Sequence, residues 1–577
     1  MIAALLANAA RRAVVIFLTF TLLTACGGSG SGNAGGGGNP GGPPISTVVV
    51  SGRVTFDRVP IGPGSGQGLD FAAATAAAAR AVTVEALAQS GGAVLATGVT
   101  DGSGNYSLTV PANTSMQLRV KAEMRRTGTP AFTFRVRDNT ASNALYALDG
   151  AGFDSGAASS QRDLHAPSGW TGAGYTNPRA AAPFAILDTV YRAYNLVLTA
   201  APNTSFLALD LFWSPGNRAG GGDCQADRTS IATGVICTTF YLAPVANPGA
   251  DRPDSGIYIL GSANDDSDEF DQHVIAHEWG HYYQQTFSRD DSVGGPHGFS
   301  DRLDFRLAFS EGWGNAFSAM VLNDSNYRDS AVVAGQQRSF GFDLESNPGA
   351  TAASIGWFSE NSIQSLLWDF YDDGVDGIDT VALGFTPIHE VMTTELRSGV
   401  AFSTIYPFVD ALRGRVPAAD ATIAALTRNQ QIGLQRGDAF GIAETNAGGD
   451  LRNLPLYKSI SLGGAQRVCS TIAPNGTINK VGVYQFLRFD LTTTNNVSVS
   501  VQGPPSQAGL RDADPDVIVY RAGKVVGLND DRGISSAVSI TGAAPGTYLI
   551  EVYEYSNVDP SAGARGDTCI DVALRAN

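Results

Sequence analysis

His277-Glu278-Trp279-Gly280-His281 is the stretch whose reading decides this chain. Two histidines four residues apart sit one turn apart on the same face of a helix. Neutral imidazoles at that spacing can reach one Zn2+ ion. Glu278 stands beside the first of them, where a carboxylate can take a proton from a water attacking a carbonyl. The surroundings fit a helix over 267–287. Asp265, Asp266, Ser267 and Asp268 offer an N-cap and an acidic first turn. Ile275, Ala276, Trp279 and Tyr283 fall on the face that packs behind the histidines. Just upstream, Gly256–Leu260 reads as a strand along which an extended ligand could add as a further strand.

A catalytic zinc needs three protein ligands and an open position. Thirty residues after His281 comes Glu311, in Phe309-Ser310-Glu311-Gly312-Trp313-Gly314-Asn315-Ala316-Phe317, inside a second helix expected over 303–322. Together the two motifs resemble the gluzincin metallopeptidases, in which a Glu on a second helix completes a His2Glu site. The Glu-Gly-Trp stretch is similar to the fungalysin branch. The resemblance implies a zincin-like α+β domain, with His277, His281 and Glu311 as zinc ligands and Glu278 as the base. Asn315 stands one turn beyond Glu311, where the family has an Asp that orients the first histidine. An Asn keeps an acceptor there through its carbonyl oxygen but carries no charge. His273 extends the stripe, yet lies about 12 Å from His281 along a helix axis, so a supporting role on the helix face is expected rather than ligation. Gluzincins also supply a His or Tyr as proton donor. His389, in Phe385-Thr386-Pro387-Ile388-His389-Glu390, is the residue expected to serve, with Tyr371, Tyr406 and His297 as rivals.

Working outward, the chain has 577 residues, too many for one core. At its start, Arg11 and Arg12 precede an apolar run from Ala13 to Leu23, which is shorter than the ~20 residues that span a bilayer. This is a signal-peptide pattern. Its end, Leu23-Thr24-Ala25-Cys26, resembles the bacterial lipobox. That resemblance implies acylation of Cys26 and, with Gly27 next, residence at an outer membrane if the cell has one, or release outside the cell. Residues 1–26 are therefore the leader, and 27–45 form a flexible Gly-rich tether.

Residues 46–125 read as β, with Val48–Val50, Gly52–Phe56, Val82–Ala86 and Tyr106–Val110 as strands and Asp101–Asn105 as a turn. The turn followed by Asn-Tyr-Ser-Leu resembles the carboxypeptidase regulatory-like domain, a small β-sandwich. The Ala-rich run Ala72–Ala81 is expected to be a loop or short helix on it. Residues 126–450 mix helix and strand. A long helix is expected over Ala180–Thr199 and another over 360–371, with strands at Phe206–Phe212 and Cys237–Leu242. Residues 456–577 return to β. Asp514–Tyr520 and Pro545–Val552 resemble the pre-peptidase C-terminal domain, a β-sandwich that trails secreted peptidases. The expected architecture is thus multidomain: an N-terminal β-sandwich, a central α+β zincin-like domain and a C-terminal β-sandwich.

An exported chain with four cysteines besides Cys26 suggests two disulfides. Cys224 and Cys237 lie in one segment, and no Cys-x-x-Cys spacing argues for metal. Given the C-terminal resemblance, a Cys469–Cys569 bond joins that module's first and last strands. The charge of −16 and the absence of a basic cluster exclude nucleic acid as a partner. Two acidic groups, Asp369/Asp372/Asp373/Asp376/Asp379 and Asp512/Asp514/Asp516, suit Ca2+ by their oxygen donors and equally suit solvated loops. The expected function is a zinc-dependent endopeptidase acting on proteins or peptides and touching the membrane only through its lipid. The rivals are an inactive binding lipoprotein on a peptidase-like core and a metal-dependent hydrolase of another bond.

Overall fold

The computed structural model describes residues 46–62, 67–220, 227–245, 252–347, 351, 354–374 and 377–577. The leader, Cys26, the Gly-rich tether, Cys224 and Asp376 lie outside the described residues. The chain is multidomain and rich in β-structure, with several sheets and a central group of helices.

Val48 to Phe56 alternate toward one core, and the resulting strand, Thr47–Arg58, is a single long element. It pairs antiparallel with Asn105–Pro111 and with Thr75–Ala78. The latter corrects the expectation for the Ala-rich run: a short 3-10 turn at Phe71–Ala73 leads into a strand, held by its pairing with Thr55–Arg58. Asp101 forms the expected turn, its carboxylate accepting from the Ser103 and Asn105 amides at 2.8 and 2.9 Å.

A second, ten-stranded sheet carries the main finding about organisation. Its principal order is Phe240–Leu242, Gly256–Ile259, Leu209–Trp213, Phe132–Asp138, Ser115–Arg126, Val82–Ala88, Val94–Val99. Strand Ser115–Arg126 pairs with Phe132–Asp138, which in turn pairs in parallel with Leu209–Trp213. The boundary drawn between residues 125 and 126 therefore falls inside one strand, Ser115–Arg126, whose sheet partners come from both sides of it. One hydrophobic core runs from Val50 and Val84 through to Ile275, Trp313 and Leu366.

Four helices carry the site and its backing: α1 (Ala182–Ala200), α2 (Gln272–Phe287), α3 (Phe305–Leu322) and α4 (Glu360–Tyr371). Ile275, Ala276, Trp279 and Tyr283 on α2 are buried, as the periodicity predicts. Trp279 stacks on Phe317 of α3 with ring centroids 5.5 Å apart, and Trp313 donates its Nε1–H to the Gly280 carbonyl at 3.0 Å. Each large apolar side chain buried here contributes about 1.5–3 kcal/mol. Two glycines let the helices close. A Cβ on Gly312 would lie 2.5 Å from Ile363 Cβ of α4, and one on Gly314 would lie 2.7 Å from the His277 ring.

The C-terminal module has two sheets that share a core of their own, including Leu487, Val499, Val519, Ile550 and Val572. Cys469 and Cys569 are bonded and sit directly opposite on adjacent strands, Ala465–Ser470 and Thr568–Ala576. Strand Tyr457–Ser459 precedes them, so the bond joins the module's second strand, not its first, to its last. Cys237 is also disulfide-bonded. Among the described residues no helix is long and apolar enough to cross a membrane.

Candidate metal centre

The two histidines of α2 point at α3. Their Nε2 atoms are 3.0 Å apart, and Glu311 Oε2 lies 3.3 Å from His277 Nε2 and 3.6 Å from His281 Nε2. One ligand atom from each of the three falls within 4.8 Å of the others, so the group can hold a metal ion. The partners behind the rings fix which nitrogen faces inward. Asn315 donates its amide to Gln364 Oε1 at 2.7 Å, so its carbonyl oxygen faces His277 Nδ1, also at 2.7 Å. His277 Nδ1 therefore carries the proton and Nε2 keeps a lone pair. Ser310 Oγ, which bonds Gln284 Oε1 at 3.3 Å, lies 3.3 Å from His281 Nδ1 and serves that ring in the same way.

Glu278 lies at the rim. Its Oε2 accepts the Tyr241 backbone N–H at 2.8 Å. Tyr241 belongs to Phe240–Leu242, which among the described residues is an edge strand of the ten-stranded sheet, so this amide projects from that edge into the site. The expected edge, Gly256–Leu260, is instead an interior strand, Gly256–Ile259, paired on both sides. The sequence misplaced it because a strand's residue pattern does not say which strands pair beside it.

Electrostatics bind the cluster together. Burial raises the Glu278 carboxyl above its ordinary value, opposed by the nearby imidazoles. Burial also acts to lower His281, but the Glu311 carboxylate outweighs it and lifts that imidazole to about 9. Glu311 in turn is held well below the usual carboxylate range: burial opposes this, and His297, His281 and His277 overcome it. A cation in this place displaces those protons.

His297 is the histidine that joins the centre. Its Nε2 lies 3.5 Å from Glu311 Oε2 and 3.6 Å from Glu360 Oε2, and its Nδ1 is 3.1 Å from the Gly295 carbonyl. The two carboxylates raise its pKa against the effect of burial. Glu360, the first residue of α4, was not singled out from sequence. Burial pushes it up to about 7. The signal for it was slight: an acidic residue opening an apolar helix reads as ordinary helix-dipole chemistry.

His389 is not brought to the centre. Its Nδ1 meets Tyr283 Oη at 2.8 Å, and its ring lies 5.7 Å from Phe385, in the packing behind α2. Tyr283 is two residues past His281 and so lies on the opposite helix face. Tyr371 and Tyr406 are likewise occupied elsewhere, donating to the Met320 carbonyl at 3.3 Å and to Glu444 at 2.7 Å. His273 contacts Ser318 Oγ at 3.1 Å and the Tyr327 ring, and burial lowers it to about 4.

The expected acidic groups fare differently. Among the described residues, neither Asp369/Asp372/Asp373/Asp379 nor Asp512/Asp514/Asp516 gathers three carboxylates at one point. Asp372 and Asp379 cap turns through the Gly374 and Val381 amides. Asp514 accepts from the Gly533 amide at 2.7 Å, and Asp516 is buried and pushed up to about 8 by burial and its acidic neighbours. The expected N-cap is also absent. The 3-10 turn Asp268–Phe270 precedes α2, and Asp271 occupies the cap position with its carboxylate turned to Ser330.

No protein-family model matches the chain, and no curated protein matches its sequence. Among solved structures, it is similar to the pre-peptidase C-terminal domain of a collagenase from Bacillus anthracis, at 15% identity and a TM-score of 0.15, over 20% of this chain and 93% of that one. It is similar also to CorA, a surface-associated copper-binding protein of Methylomicrobium album BG8, at 8% identity and a TM-score of 0.16, over 21% of this chain and 98% of that one. A third is PliG of Aeromonas hydrophila, a periplasmic inhibitor of g-type lysozyme, at 15% identity and a TM-score of 0.13, over 20% of this chain and 97% of that one.

Proposed function

We propose that this protein is a zinc-dependent endopeptidase, exported and held at a bacterial envelope by a lipid on Cys26. In this reading the centre lies in a zincin-like domain flanked by two β-sandwiches, the second of the pre-peptidase C-terminal kind. The observation that carries it is the convergence of His277, His281 and Glu311, with Glu278 beside them at the edge of a sheet. The donor set fits zinc: two imidazole nitrogens with lone pairs turned inward and one carboxylate, leaving room for a fourth position. Zinc held there supplies the Lewis acidity that a peptide carbonyl needs to accept a nucleophile.

The chain's own residues do the rest. Asn315 and Ser310 keep each ligand histidine in the tautomer that leaves Nε2 free. Glu278 takes the proton of the attacking water and hands it to the departing amine. The Tyr241 N–H that now meets Glu278 is the donor that an extended substrate would engage on adding to the edge Phe240–Leu242. His297, balanced by Glu360, replaces His389 as the donor to the developing oxyanion. The anchor on Cys26 rests on the lipobox resemblance alone.

The test is paired. Zinc content and casein hydrolysis are measured on the chain from Ile45 onward, beside Glu278→Ala. One zinc per chain in both forms, with hydrolysis only by the wild type, is the expected result. No zinc in either form sinks the reading. Zinc in both without hydrolysis transfers the chain to the binding-protein alternative.

A further inference from the structure

The segment leading into α2 holds a second convergence of ligands, with none of the nitrogen donors of the first. Asp266, Asp268 and Asp271 come from the turn before the helix, and Asp329 from the strand Asn326–Val333. One carboxylate oxygen of each lies within 4.8 Å of the others. Asp268 and Asp271 are 2% and 0% exposed. The outer oxygens are satisfied by the protein: Thr239 Oγ donates to Asp268, and the Ser330 amide and hydroxyl donate to Asp271 Oδ2 at 2.8 and 2.7 Å. The remaining oxygens, Oδ1 of Asp268, Asp271 and Asp329, are buried and meet no hydrogen-bond donor. Among the described residues no Lys or Arg pairs with any of the four. Arg179, the cation of this region, is taken by Glu269.

Four carboxylates buried face to face are costly unless a cation or shared protons neutralise them. Burial raises all four, and repulsion within the group adds to it at Asp266, Asp271 and Asp329, as expected of a site lacking its counter-charge. An all-oxygen, all-acidic set suits a hard divalent ion, and flexible carboxylate geometry suits the larger one. We propose that Asp266, Asp268, Asp271 and Asp329 form a structural calcium site, separate from the His277/His281/Glu311 centre. The ion ties the strand Asn326–Val333 to the start of α2, six residues before His277. It thereby fixes the helix that presents both histidines. This assignment does not depend on the peptidase reading.

The experiment uses the full chain, stripped with chelator and reloaded with one equivalent of zinc. Melting temperature and bound calcium are then measured with and without about 1 mM Ca2+, or the same Mg2+, for wild type, Asp329→Asn and Asp516→Asn. Calcium is expected to raise the wild-type melting temperature by on the order of 5 °C. Asp329→Asn should lose that shift and one calcium per chain while retaining zinc, and Asp516→Asn should keep the shift. If Asp329→Asn does not fold, Asp266→Asn at the more open rim is the second variant, with the same expected loss. No calcium shift in the wild type, a shift given by Mg2+ alone, or a shift lost only in Asp516→Asn each overturns the proposal. So does a stripped Asp329→Asn that melts as high as the calcium-loaded wild type, since shared protons then suffice.

Discussion

The two flanking β regions look alike in sequence and are joined to the centre in opposite ways. The N-terminal strands continue into the central sheet and share its core. The C-terminal sheets own most of their core, and lend only residues such as Tyr457, Val481 and Phe486 to the central one. That module meets the centre through an aromatic seam, with Phe305 and Phe402 packed on Tyr457 and Phe486, around a buried ion cluster. Arg306 of α3, 2% exposed, reaches Asp304 at 2.9 Å and Glu551 at 2.8 Å, under the rings of Phe402, Tyr484 and Phe486. Asn479 donates to the Gly294 carbonyl at 2.8 Å and Lys480 to Pro296 at 3.0 Å. The difference teaches that one β region is part of the folding unit, while the other braces the loop that carries His297.

The largest effect tests the fused end. Beginning the chain at residue 126 removes the strand Ser115–Arg126 and leaves Phe132–Asp138 without its neighbour. Loss of cooperative melting is expected, read by circular dichroism and calorimetry. A soluble 126–577 fragment with one sharp transition would break the comparison.

Next comes the seam. Arg306→Ala leaves Asp304 and Glu551 buried without their cation, and a loss of about 3–5 kcal/mol is expected in denaturant unfolding. A change under about 1 kcal/mol would mean that the seam opens to water.

What sequence could show follows from which forces are local. The four helices around the site emerged within about five residues of their observed ends, since the 3.6-residue period and Gly/Asp punctuation are written along one stretch, whereas Phe385–Val391, Ile405–Arg415 and Asp420–Asn429 were not foreseen. The Ala180–Thr199 expectation against Ala182–Ala200 is an example. Asn315 facing His277 was legible through the gluzincin resemblance, which implies an orienting residue one turn beyond Glu311. Strand partners were not legible. Gly256–Ile259 reads as an edge or an interior strand with equal ease, and only Phe240–Leu242 pairing beside it decides. The aspartates before α2 read as a cap because their fourth partner, Asp329, lies 58 residues past Asp271 in a different element. His389 was preferred to His297 by position in the chain, a criterion with no physical force. The loop geometry that brings His297 to Glu311 is held by Asn479 and Lys480, far downstream.

The shared core also predicts an acid limb. His273 is buried at the α2–α3 contact and held at about 4, below its ordinary 6.5. Between those two values the unfolded chain binds a proton that the folded chain refuses. Stability is therefore intact above pH 6.5 and falls as the pH drops toward 4, by roughly 3 kcal/mol. His273→Phe should flatten this limb in urea melts taken across the window. An unchanged slope would show that the ring reaches water.

His297 and His389 sharpen the contrast at the level of single residues. His297→Gln should retain zinc and lose about 10²-fold in kcat/KM, chiefly through kcat, as for a lost oxyanion donor. His389→Phe should retain activity and lose about 1 kcal/mol of stability with its Tyr283 hydrogen bond. The reverse pattern would restore His389 to the role its sequence position first suggested.

The smallest effect separates bracing from mere attachment. Asn479 lies in the C-terminal module and touches no residue of the metal centre, yet its side chain holds the Gly294 carbonyl three residues before His297. Asn479→Ala removes that hydrogen bond and the one its Oδ1 accepts from Lys480 at 2.7 Å, together worth about 2 kcal/mol, and leaves the core of the module intact. If the module only hangs on the centre, stability falls slightly and kcat is unchanged. If it braces the loop, kcat falls several-fold with zinc content and KM preserved, since a displaced donor weakens the transition state more than binding. Combining Asn479→Ala with His297→Gln then decides the matter. Once His297 is gone, the loop has no donor left to misplace, so the second substitution should cost nothing further in kcat.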